Sequence, residues 1–139
     1  MRLTSFNIIG AIALSLCAVP LARGSDVQDA DKFALGGIGV AGTMSKGERA
    51  LRAILDQPDA VTQLEKVLPH ATDAGRLYIL VGLRARDRSA YKRAFDLYSQ
   101  HDSTVETVRG CMISRESFQA LMHEIDRGNF DVLLKQSPR

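Results

Sequence analysis

Cysteine is scarce. The 139-residue chain holds two, and one of them, Cys17, lies in an N-terminal apolar run. Cys111 is then alone in the remainder, which excludes an internal disulfide framework and leaves the fold to rest on packing. An excess of one charge sign is also missing. Lys and Arg number 18 and Asp and Glu 16; Arg2 and Arg23 stand before Ser25 and no acid does, so the chain from Ser25 onward carries 16 of each. That balance gives no global attraction to nucleic acid. No Cys/His pair has metal-ligand spacing, and His123-Glu124 lacks the second His one helical turn on. His70 and His101 are equally isolated, so no metal and no cofactor is expected. Low-complexity tracts and internal repeats are absent too.

What is present begins with a short positive start, Met1-Arg2, and the apolar run Phe6 to Val19. Pro20 and Ala22-Arg23-Gly24 follow, then the polar stretch from Ser25. A positive start, a short apolar segment and a small-x-small site make a secretory signal peptide, here residues 1–24 with cleavage after Gly24. The run falls short of the ~18 residues that span a bilayer, so no stable membrane span is expected after cleavage. Lipid attachment at Cys17 is disfavoured by bulky Leu16 in the position before it. The expected location is the periplasm or the exterior. Residues 25–32 read as a flexible acidic lead-in, and 33–139 as a single domain of a size to hold one core.

Within that domain the signals are mainly helical. Ser45 with Glu48 has the form of a capping box, followed by the apolar stripe Leu51, Ile54 and Leu55. Pro58 closes that helix, and a second carries Val61, Leu64, Val67 and Leu68. Thr72-Asp73-Ala74-Gly75 opens a third over Leu77–Leu83, apolar almost all round and so buried on several sides. Its cap signals and length favour helix over strand. Asp87 or Ser89 caps a fourth with Tyr91, Ala94, Phe95 and Tyr98. Residues 104–113, rich in Thr and Val, read as a strand whose only plausible partner is Phe33–Val40. Ser114 caps a fifth helix with Phe118, Leu121, Met122 and Ile125, and a last turn holds Phe130, Leu133 and Leu134. The fold class is therefore mainly α: about five helices in antiparallel hairpins, like HEAT pairs in shape, with a small two-stranded ribbon.

Gly37-x-Gly39-x-x-Gly42 has the letters of a dinucleotide loop, but that loop needs a strand before it, a helix opening at it and an acid on a second strand. Only the polar stretch from Ser25 precedes it, Thr43-Met44-Ser45 delay the helix, and Glu65 at the right distance falls inside another helix. Small residues permitting close backbone approach are the plainer reading, so no nucleotide is expected. Cys111 reads first as a small buried residue on the strand's inner face. Its alternatives are a thiol that pairs between molecules and a nucleophile, which requires a nearby base. Glu106 with Asp102 and Glu116 with Glu124 are conceivable carboxylate pairs that nothing in their spacing selects. Arg84, Arg86, Arg88, Lys92 and Arg93 form the one dense basic cluster. Interleaved Asp87 and Asp96 suit a solvated, salt-bridged face; the functional reading is a patch for an anionic partner.

Phe33-x-Leu-Gly-Gly-x-Gly-x-Ala-Gly, Gly47-Glu48-Arg49, Leu77-Tyr78 through Gly82-Leu83, and Gly110-Cys111 followed by Ser114-Arg115-Glu116 together resemble a small family of uncharacterised exported bacterial proteins. The resemblance implies no activity, ligand or catalytic residue. It implies that the Gly segment and the Gly-Cys strand belong to one structural element. The expected function is a non-enzymatic interaction module that engages another envelope protein; the alternative is an envelope enzyme using Cys111 as a thiol nucleophile.

Overall fold

The structure, a computed structural model, describes residues 22–136. The apolar run of the expected signal peptide and Cys17 lie outside the described residues. Seven α-helices and one two-stranded antiparallel sheet follow in order: α1 (Ala22–Gln28), α2 (Lys46–Leu55), α3 (Ala60–Val67), α4 (Asp73–Arg86), α5 (Arg88–Tyr98), β1 (Thr104–Arg109), β2 (Met112–Ser117), α6 (Phe118–Asp126) and α7 (Asp131–Lys135). The mainly helical expectation with a small ribbon holds. Among the described residues no helix is long and apolar enough to cross a membrane.

The organising element is α4. Leu77 to Leu83 is buried on every side, with Leu77, Tyr78, Ile79, Leu80 and Leu83 wholly inaccessible. This segment is a helix, in line with its cap: Thr72 Oγ1 accepts from Gly75 N at 3.0 Å. A helix apolar all round must be covered all round, and α1, α2, α3, α5, α6 and β1 all pack on it. The expected pairs α2/α3 and α4/α5 are neighbours within this arrangement. Close crossing requires a missing side chain at Gly82, where a Cβ would come within 2.8 Å of Leu51 Cδ1 and 2.9 Å of Leu64 Cδ1.

Three expectations need correction. First, 25–32 is not a flexible lead-in: α1 covers its first half, through Gln28, and Val27 and Ala30 are core residues. Val27 and the small Ala30 are its buried apolar side chains. The expected cleavage point after Gly24 falls inside α1. Second, the strand over 104–113 is two strands. Gly110, in a left-handed conformation at φ +60°, and Cys111 turn the chain, so β1 pairs with β2 in the register Thr104↔Ser117 to Arg109↔Met112. A two-residue turn containing such a glycine is a hairpin signal. The fifth helix consequently starts after Ser117, not at Ser114. Third, Phe33–Val40 is not the ribbon's second strand. It runs beside β1 through isolated parallel bridges at Phe33↔Thr107 and Ile38↔Gly110.

The reason lies in the glycines. Gly36, Gly37, Gly39 and Gly42 all have positive φ, which bends the segment into successive turns. At Gly37 a Cβ would meet Gly42 O at 2.7 Å. This run of turns is pinned to α4 and α2 by one polar cluster. Tyr78's hydroxyl accepts from Ala34 N and donates to Ala34 O, both at 2.8 Å, and Ser45's hydroxyl donates to the same carbonyl at 2.9 Å. Burial pushes the Tyr78 hydroxyl above its ordinary pKa, so it remains a donor.

Candidate functional site

The outward stripe of α2 is Arg49, Arg52 and Ala53, continued by Asp56 at its C-cap, the i, i+3, i+4, i+7 face opposite its buried Leu51, Ile54 and Leu55. It faces the C-terminal arginines of α4 and the end of α7 across a groove of about 790 Å³. Six cations line it, Arg49, Arg52, Arg84, Arg86, Arg88 and Lys135, against two acids, Asp56 and Asp131. The volume is within the roughly 300–1,000 Å³ typical of ligand sites.

Three of the cations are tied into the fold. Arg52 donates to Glu48 Oε1 from Nε (3.0 Å) and Nη2 (2.8 Å), and to the carbonyls of Leu134 (3.0 Å) and Leu133 (2.7 Å), clasping α7 to α2. Arg86 donates to Leu55 O, one of the free carbonyls at the end of α2. Arg84 reaches Asp131 and lies over the Tyr91 ring. The other three are available: Arg49 has only a 3.5 Å contact with Met44 O, and Arg88 and Lys135 have no ion pair among the described residues.

Of the expected anionic patch, Arg84, Arg86 and Arg88 line this groove, and Lys92 and Arg93 do not. Arg93 pairs with Glu65 at 2.7 Å, and Lys92 faces a separate depression beside Asp96 and Asp126. Sequence reasoning missed Arg49, Arg52 and Lys135. The first two were legible as a basic stripe at helical spacing behind an apolar one. Lys135 comes from a helix too short to show a period.

The remaining candidates are placed elsewhere. Cys111 is exposed in the hairpin turn, which corrects the buried inner-face reading. No histidine hydrogen-bonds to it among the described residues. His101 Nε2 is 2.8 Å from Asp73 Oδ1, and His123 stacks edge-on against Phe95. Glu116 and Glu124 do come together, both on Arg109 Nη2 at 3.2 and 3.0 Å, and the hydrogen bond to Glu124, with the charges of both, holds the Arg109 guanidinium above its ordinary pKa. Glu106 pairs instead with Lys32 at 2.7 Å. Among the described residues no group of three or more His, Cys, Asp or Glu could hold a metal ion. In the glycine segment, Gly36 N donates to Glu48 Oε2 at 3.0 Å. The depression beside those glycines therefore has on its wall the Glu48 carboxylate, paired with Arg52. Compared with protein-family models, curated proteins and solved structures, the chain matches none.

Proposed function

We propose that the protein is an exported, non-enzymatic interaction module of the bacterial envelope, and that its docking face is the groove between α2, α4 and α7. The observation that carries this reading is the convergence of six cations from four helices on one concavity, in a chain whose charges from Ser25 onward balance overall. Half of those cations fix the groove's walls and half are unengaged, which gives a preorganised surface with free charge. Export rests on the positive start, the short apolar run and the small-x-small site ending at Gly24. The location is then periplasmic or secreted.

In-cell crosslinking followed by affinity purification from the envelope tests this reading. A partner recovered with the native protein and lost with the double variant Arg49→Glu/Arg88→Glu is the expected result. Both residues are exposed, so the fold tolerates the change. Recovery of no partner, together with stoichiometric labelling of Cys111 by a thiol-directed probe at neutral pH, would favour the thiol-enzyme alternative.

A further inference from the structure

We infer that the groove takes an extended acidic peptide segment of the partner, one in which carboxylates alternate with apolar side chains. This rests on the groove being the docking face. Three features select that occupant over other anions. Recession is the first: a flat anionic bilayer reads cations that protrude, whereas here they line a concavity. Composition is the second: Met44, Ala53, Leu55, Ala85 and Leu134 share the lining with the cations. Apolar side chains gain from covering such surface and phosphate chains do not. Asp56 and Asp131 are also in the lining. They repel a compact polyanion, while a peptide offers them backbone N–H groups.

The third feature is Arg84. Its side chain is only 8% exposed, and its Nη1 is buried with no acceptor among the described residues. Its bonds to Asp131, at 3.2 and 3.3 Å, are long beside the roughly 2.7–2.9 Å of a tight charge-assisted pair. The guanidinium is thus short of acceptors at the wall of a site rich in free donors. Arg84 Nη1 is closed to solvent, so Arg84 adds positive potential at the wall, and the exposed Arg49, Arg88 and Lys135 bind the carboxylates along the segment. Arginine is suited to this because its planar fork matches a carboxylate bidentately.

The test is fluorescence anisotropy of the purified full chain with a short labelled peptide alternating Glu and Leu. The same peptide with Gln for Glu is the control, and inorganic polyphosphate and phosphatidylglycerol vesicles are competitors. The Glu peptide is expected to bind with an affinity that falls as salt rises, and the Gln peptide to bind far more weakly. Arg49→Glu/Arg88→Glu should weaken it about tenfold or more, and Arg93→Glu, outside the groove, should leave it unchanged. Equal binding of the Gln peptide, equal loss in Arg93→Glu, or tighter binding of polyphosphate or vesicles would overturn the inference. Should the peptide fail while the same double variant still loses the cellular partner, the docking face stands and its occupant is not an acidic peptide. If both fail, the docking face falls as well.

Discussion

Replacing Ser45 by Ala removes three contacts with one hydroxyl: the N-cap bond from Glu48 N (3.0 Å), the bond to Ala34 O (2.9 Å) and the contact with Tyr78 Oη (2.9 Å). A lost cap and a lost part-buried bond together cost about 1–2 kcal/mol. Urea unfolding should show the midpoint falling with an unchanged slope; an unchanged midpoint would mean that the cluster does not hold the glycine segment. Ser45 was legible as a cap, but the reciprocal half of the box is not formed. The Glu48 carboxylate turns to Arg52, one turn on in the same helix, and to Gly36 N instead. Asp73 contributes to the acid response. Burial works to raise its pKa, but Ser103, His101 and the Arg76 guanidinium beside it outweigh burial and hold the carboxyl below its ordinary 3.8. A depressed folded pKa means stability that is present in full above 3.8 and lost as pH falls through the folded value. Asp73→Asn should therefore be less stable than the native protein near neutrality, with the gap closing below that pH. A gap that persists unchanged into strong acid would exclude this residue from the acid response.

At the level of elements, what the sequence made legible was whatever repeats at 3.6 residues. The stripes of α2 and α3 and the all-apolar α4 were read correctly because burial imposes that period. The ribbon was misread because Gly110 sits inside a Thr/Val-rich run and looks like an interruption rather than a turn, and Met112–Ser117 is exposed almost throughout, with no alternation to announce a strand. The extended form expected of the glycine segment was wrong: four left-handed glycines make turns, and periodicity does not report φ. This gives a graded prediction. Gly39→Ala places a Cβ in open space at φ +70°, so only backbone strain of about 1–2 kcal/mol is expected. Gly37→Ala adds a 2.7 Å approach to Gly42 O and should cost clearly more. Equal midpoints for the two variants in thermal unfolding would show that the turn relaxes freely.

Taken as a whole, the molecule gathers elements from both ends of the described chain around α4, and this long-range closure is what sequence pattern could not supply. The groove exists because α7, near the C-terminal end, is clasped by Arg52 of α2; nothing local in either segment foretells the other. The same holds at the N-terminal side, where α1 docks by more than Val27. Thr72 N donates to Gln28 O at 2.9 Å, and Thr72 Oγ1 donates to Ala30 O at 2.6 Å. Gly75 leaves a notch in which a Cβ would lie 2.5 Å from Val27 O, so α4 is shaped to receive this segment. Cleavage after Gly24 would keep all of these contacts and remove from α1 only Ala22, Arg23 and Gly24. A chain beginning at Ser25 should thus unfold at nearly the temperature of one beginning at Ala22. Deletion of 25–32, harmless if the segment were a flexible lead-in, should lower the midpoint sharply, because it strips the cover from a buried helix and leaves Thr72 N and Oγ1 without their acceptors. Within the chain starting at Ser25, Val27→Ala alone should cost roughly 2 kcal/mol, the transfer and cavity cost of a fully buried aliphatic side chain. Thermal and urea unfolding of these chains decide the matter. Indifference to the deletion would return 25–32 to the status of a lead-in and remove α1 from the core.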